Sequence, residues 1–262
     1  MRFAGRAAIV TGAGSGIGRA AAMRLASEGA NVVLVGRNAA RLDESLAMLR
    51  GEGAEAIAVA VDLSEERAPK TVVDACIAAF GRLDVLVNNA AVGRNYDAVE
   101  PGTMRPLHET TREAWGRVLD INLTATAFLI REALPHLKAS GKGAIVTLAS
   151  ILGFRGDLTD HAYTATKAAI INLTRSVAIT YGAQNVRANC IAPGLIDTEM
   201  SAATMGASFM QSETGRFRVS ALGRAGKPEE IASIIAFLAS DDASFVSGAM
   251  LVADGGLTAR VR

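Results

Sequence analysis

Short runs of β-branched and other apolar residues alternate with longer alanine-rich stretches along most of this chain, and that alternation leaves few folds open. Strands are predicted at Ala7–Thr11, Asn31–Val35, Ala56–Val61, Val85–Asn88, Ala144–Leu148, Arg187–Ile191 and Ala249–Val252. Most are apolar from end to end, as strands covered on both faces should be. Helices are predicted over Gly16–Glu28, Ala39–Arg50, Glu65–Phe80, Arg112–Lys138, His161–Tyr181 and Glu229–Ser240. Strand–helix–strand order of this kind makes right-handed crossovers and a parallel sheet with helices on both faces. The expected fold class is therefore α/β, a single doubly wound domain over residues 1–262 with about seven strands.

Two stretches interrupt the alternation. Arg94–Thr111 carries two prolines and several charges, and Glu199–Pro228 carries three methionines with weak helical periodicity. Each follows a strand, which places it on the carboxyl edge where open α/β sheets bind ligands. The first is expected at the pocket rim and the second, about 199–228, as a substrate lid. A plain surface loop is the other reading of each.

Composition narrows the partners. Half of the 262 residues are apolar and a fifth are charged, with a net charge of +1. That balance gives no electrostatic reason to expect nucleic acid. No run approaches the roughly 18 apolar residues of a membrane helix, and the N-terminus lacks the apolar core of a signal peptide. The two cysteines, Cys76 and Cys190, lie in apolar stretches and suggest neither a disulfide framework nor a metal site. A cytoplasmic protein is expected.

Residues 11–18 read TGAGSGIG, directly after the first strand and opening the first helix. Gly12 permits the tight exit from the strand, Gly16 lets a pyrophosphate approach the backbone, and Gly18 lets the helix pack close to the sheet. Ser15 and Ile17 belong to the same turn. Free N–H groups at a helix start attract phosphates, so the turn predicts a dinucleotide on a Rossmann-type sheet. The second strand ends VLVGRN, with Gly36 where an NAD-selecting carboxylate is usual and Arg37 next to it. A guanidinium fork there suits a 2′-phosphate and favours NADP, with NAD still possible. Alternatively, Arg37 stacks on adenine or faces solvent.

Tyr163 and Lys167 lie four residues apart on a predicted helix, so both side chains share one face. An ammonium beside a phenol stabilises the phenolate and lowers its pKa from about 10. Such a tyrosine can exchange a proton with an alcohol or an alkoxide. Taken alone, an ordinary surface pair explains the spacing as well.

Taken together, these motifs resemble the short-chain dehydrogenase/reductase family from about Arg6 to Gly256. TGAGSGIG matches its TGxxxGxG turn, and NNAA at Asn88–Ala91 matches NNAG with alanine for the last glycine. Tyr163–Lys167 matches YxxxK, with Ser150 thirteen residues before the tyrosine, and Pro193-Gly194 and Asp254–Gly256 match two further signatures.

The resemblance implies Asn122, Ser150, Tyr163 and Lys167 as the catalytic set. It implies Asp62, Leu63, Asn89, Pro193, Gly194, Ile196 and Thr198 as cofactor contacts, beside Tyr163 and Lys167. Its mechanism gives Tyr163 the proton, Ser150 the carbonyl oxygen, Lys167 the tyrosine pKa and the nicotinamide ribose, and Asn122 a water that links Lys167 to solvent. Helix-cap, buried-amide and solvated roles are the structural alternatives for Ser150, Asn122 and Lys167.

The implied activity interconverts a ketone or 3-oxoacyl group and a secondary alcohol, and family members of this kind form homotetramers. NAD-dependent alcohol oxidation and a dinucleotide sensor without turnover are the alternatives. The small-molecule substrate is expected among Arg94–Tyr96, Ile151–Arg155, Leu195 and Met200–Phe217. His161 is expected at that pocket or on the surface.

Overall fold

Strand β1 (Ala7–Thr11) is buried along its whole length, and its two faces begin two separate cores. Ala8 and Val10 point one way, Ala7 and Ile9 the other, as the two-residue period of a strand requires. The computed structural model describes residues 1–202 and 219–260. Around β1 are β2 (Asn31–Gly36), β3 (Ala56–Ala60), β4 (Val85–Asn88), β5 (Gly143–Leu148), β6 (Val186–Pro193) and β7 (Met250–Ala253). They form one seven-stranded sheet in the order β3-β2-β1-β4-β5-β6-β7, with every pairing parallel.

Helices α1 (Gly16–Ser27) and α2 (Ala39–Gly51) cover one face, joined near the C-terminus by the Pro228–Ala239 helix. Ala21, Ala22 and Leu25 of α1 meet Ile231 and Ile235 there. The other face carries α3 (Ala68–Phe80), α4 (Arg112–Leu119), α5 (Ala125–Ala139) and α6 (His161–Tyr181), with Val72, Leu129, Ala133 and Val177 packed against Ile9 and Ile145. Strand order reverses between β1 and β4, so their carboxyl ends diverge into a crevice. The site lies in that crevice. Among the described residues no helix is long and apolar enough to cross a membrane.

Three departures from the sequence expectation have physical causes. Helix α3 begins at Ala68 instead of Glu65, because the Asp62 carboxylate accepts from the Ser64 amide (2.9 Å) and hydroxyl (2.7 Å) and closes a turn there. Pro69 then sets the first helical turn. The expected helix Arg112–Lys138 is interrupted by a π-turn at Asp120–Thr124, between α4 and α5. Its wider winding turns Ile121 and Asn122 inward, and both are buried. In the stretch expected to be a lid, Glu199–Ala202 forms a single helical turn, labelled α7; the Pro228–Ala239 helix is then α8. Residues 203–218, with Met205, Phe209, Met210 and Phe217, lie outside the described residues. The other insertion folds into two 3-10 turns, Arg94–Ala98 and Leu107–Glu109.

Candidate active site

At the end of β1 the backbone is too close to its neighbours for side chains. A Cβ on Gly12 would come within 2.6 Å of the Asn89 amide nitrogen, and one on Gly18 within 2.2 Å of the Gly12 carbonyl oxygen. Gly12 (φ +67°) and Gly16 (φ +50°) also hold left-handed conformations, which glycine adopts without strain. The Thr11 hydroxyl accepts from the backbone N–H groups of Asn89 and Ala90, both at 2.9 Å, and so binds the end of β1 to the end of β4. Ser15 is the N-cap of α1, yet its side chain makes no capping hydrogen bond. The first amides of α1 are therefore left for an anion. Ser15, Gly16 and Ile17 line a cleft of about 520 Å³ that runs along the carboxyl edge of the sheet. The uncapped helix start and a cradle with no room for a Cβ fit the pyrophosphate of a dinucleotide.

Gly36, Arg37, Asp62 and Leu63 line one end of this cleft. Burial raises the Asp62 pKa, but the Ser64 hydroxyl and amide and the Arg37 and Arg117 charges outweigh it and hold the carboxyl below its usual range. An ionised carboxylate there accepts hydrogen bonds only, which suits an exocyclic amine. The Arg37 guanidinium lies over the Tyr96 ring, 5.7 Å from its centroid.

Ser150, Tyr163 and Lys167 line the middle of the cleft, with Pro193, Gly194, Ile196 and Thr198 on the facing wall. Ser150 follows β5, is nearly buried, and caps the Ile151–Gly153 turn by accepting from the Leu152 amide at 3.1 Å. The cap fixes its hydroxyl oxygen without consuming its proton. Tyr163 and Lys167 stack one turn apart on α6, the ammonium 5.4 Å from the phenol ring centroid. The Lys167 Nζ donates to the Leu148 carbonyl at 2.7 Å.

The expected lowering of the tyrosine pKa is not what this geometry produces. Burial pushes the Tyr163 phenol up to about 12, opposed by the Ser150 hydroxyl and reinforced by the Asp160 charge. Burial likewise pushes Lys167 down to about 8. The lysine spends a donor on a backbone carbonyl and is itself stripped of water, so its charge does not carry the phenol with it.

Asn122 and Gly18 lie behind the cleft wall and do not line it. Asn122 accepts from the Val92 amide (2.8 Å) and donates to the Val92 carbonyl (3.0 Å) and the Thr166 hydroxyl (3.4 Å). It joins the π-turn to the segment that follows β4 and to α6, one residue from Lys167.

At the substrate end are Val92, Arg94, Ile151, Leu152, Leu195, Met200, Val219 and Leu257. Asn95, Tyr96, Gly153, Phe154 and Arg155 were expected at this pocket but do not line it, and of the two places expected for His161 the pocket is not the one it takes. Asp157 and Asp160 do line it and were missed. Asp160 is 4 % exposed with φ +20°, an uncommon conformation for a residue with a side chain. Its carboxylate accepts from Arg94 Nε at 2.8 Å, and Asp157 accepts from the same guanidinium at 3.1 Å. An acidic pair within the stretch between Ser150 and Tyr163, facing a single arginine of the rim insertion, was the available signal.

The sheet order, the glycine turn and this cleft define a dinucleotide-binding α/β enzyme. The sequence model of a family described as enoyl-(acyl carrier protein) reductase matches residues 12–258. The cis-4-hydroxycyclohexanecarboxylate dehydrogenase of Sinomonas cyclohexanicum is 46 % identical over 257 residues, covering 98 % of each chain. The meso-2,3-butanediol dehydrogenase of Serratia marcescens is 39 % identical, over 99 % of this chain and 97 % of its own. A cyclohexanol dehydrogenase from Acinetobacter sp. (strain SE19) is 34 % identical over the same shares of the two chains. The chain belongs to the short-chain dehydrogenase/reductase family. It is an oxidoreductase that acts on CH–OH groups with a nicotinamide cofactor.

Proposed function

We propose that this enzyme is NADP-dependent and interconverts a ketone and a secondary alcohol on a largely apolar frame, with Tyr163 as the general acid and base. The observation that carries the reading is the placement of Ser150, Tyr163 and Lys167 in one cleft with the glycine turn. A bound nicotinamide cofactor supplies hydride transfer to or from the reacting carbon. Ser150 donates to the substrate oxygen and holds it at Tyr163. The tyrosine hydroxyl then gives its proton to the forming alkoxide in reduction, or takes one from the alcohol in oxidation. Lys167 holds positive charge beside the phenol and the nicotinamide ribose, and Asn122 fixes the backbone around it.

The cofactor contacts in this reading are Gly12, Ser15, Gly16, Ile17, Arg37, Asp62, Leu63, Asn89, Tyr163, Lys167, Pro193, Gly194, Ile196 and Thr198, with Gly18 shaping the turn from behind. The apolar side chains Ile151, Leu152, Leu195 and Met200 support an apolar substrate. The similar relatives named for cyclohexanol and for a hydroxycyclohexane acid support a ring alcohol. A panel of cyclic and linear alcohols and ketones, followed at the nicotinamide absorbance band with both cofactors, tests the reading. Turnover of none of them would overturn it. The same reading includes a homotetramer, to be checked by sedimentation, and a cytoplasmic location, which the two buried free cysteines support.

The choice of NADP rests on charge. Two arginines line the cleft among the described residues, and Arg94 is already paired with Asp157 and Asp160. Arg37 feels the Asp62 charge but makes no hydrogen bond or ion pair with a carboxylate among the described residues, so its fork is available for a 2′-phosphate. Arg37→Asp is expected to cut kcat/KM for NADPH by at least about tenfold, roughly 1.4 kcal/mol, while kcat/KM for NADH holds or rises. Unchanged selectivity in this variant would mean that Arg37 does not read the cofactor.

A further inference from the structure

We infer that Tyr96 is a positioning residue for cofactor selection, its buried ring holding the Arg37 guanidinium at the adenosine end of the cleft. The inference rests on the reading of Arg37 as the residue that meets the phosphate monoester on the adenosine ribose. Tyr96 does not line the cleft; it acts through Arg37.

The ring is fixed from several sides. It is 5 % exposed and packs in a cluster with Val92, Met104, Val118 and Ile121. Its hydroxyl donates to Glu100 Oε2 at 2.8 Å. Glu100 also accepts from Arg117 Nε at 3.3 Å, and Arg117 reaches the Ser64 hydroxyl at 3.1 Å and Asp62 at 3.6 Å. The floor under Arg37 is thus built into the same network that shapes the Asp62 end of the cleft.

The kind of tether matters. Arg41 is held by Glu199 at 2.6 Å and Arg94 by two aspartates, and each carboxylate uses N–H donors and cancels charge. A ring face attracts a guanidinium through its quadrupole and leaves the N–H fork free for an anion. Arg37 is exposed, and among the described residues it has no hydrogen bond or ion pair. Without the ring, binding a phosphate would first have to order a long, mobile side chain. That ordering lowers affinity, and a tether in place beforehand lessens it.

The test is the ratio of kcat/KM for NADPH to that for NADH, in wild type, Tyr96→Phe and Tyr96→Leu, each also with Arg37→Ser. The ratio within one preparation cancels the concentration of folded enzyme; should Tyr96→Leu not fold, Tyr96→Met replaces it with the same expectation. Wild type should favour NADPH. Tyr96→Phe keeps the ring and should keep the ratio. Tyr96→Leu should lower the ratio roughly twofold to fivefold, the range a cation–π contact supplies at an exposed site, through KM for NADPH. With Arg37→Ser in place, Tyr96→Leu should leave the ratio where Arg37→Ser alone puts it. A wild type that favours NADPH beside a Tyr96→Leu variant with an unchanged ratio overturns the role of Tyr96 and leaves that of Arg37 standing. A wild type without a preference for NADPH removes both.

Discussion

Tyr163→Phe is expected to lower turnover roughly a hundredfold to ten-thousandfold, the range of general acid–base catalysis by a placed side chain, while reduced-cofactor binding by fluorescence changes little. The substitution removes one oxygen from the cleft wall and leaves the ring, its packing on Val92 and Ala162, and the nearby lysine in place. Near-normal turnover on a true substrate would remove Tyr163 from the mechanism. In the wild type, pH should separate the two directions. Burial holds the phenol up to about 12, so near neutrality it is protonated, the form that reduction needs. Oxidation needs the phenolate, so its rate should climb with pH toward about 12, while reduction holds level until the pH nears that value. Parallel profiles for oxidation and reduction would argue that another group carries the proton.

Gly18→Ala should damage the enzyme at a different level. Its methyl would meet the Gly12 carbonyl oxygen at 2.2 Å and the Asn89 amide at 2.6 Å. Neither neighbour is a flexible side-chain end, since Asn89 Nδ2 donates to the Thr11 carbonyl at 2.9 Å. Either α1 moves away from the sheet or the turn opens, and both displace the amides that face the pyrophosphate. A loss of about 1–3 kcal/mol in folding stability, as overpacking typically causes, should accompany a large rise in the cofactor dissociation constant. Urea unfolding and cofactor titration measure the two. Wild-type values in both would show that α1 does not need this close approach.

Much of this arrangement can be read from residue order, and the exceptions share a cause. The strands and the glycine turn depend on local pattern, so Ala7–Thr11 and Gly12–Gly18 fall where expected. Tyr163 and Lys167 share a helix, which makes their spacing legible as well. What local pattern cannot carry is depth. Gly18 and Asn122 sit behind the cleft wall, and only the stacked layers of the fold decide that. The shift of Tyr163 depends on how completely water is removed around it, and Lys167 turns to a carbonyl nineteen residues away in sequence. Asp160 was missed because its partner, Arg94, comes from a different crossover. The start of α3 was misplaced because Asp62 closes a turn with its side chain.

The π-turn at Asp120–Thr124 changes how α4 and α5 can be understood. Together they look like one rod, but an extra residue in the winding offsets the second half from the first by about 100° of phase. The first half keeps step with α6, which carries the tyrosine and the lysine, and the second with α3 on the same face of the sheet. A rod of uniform pitch could satisfy only one of these partners. The turn works as a splice between two angular settings, so the half beside the chemistry and the half beside α3 each keep their own alignment.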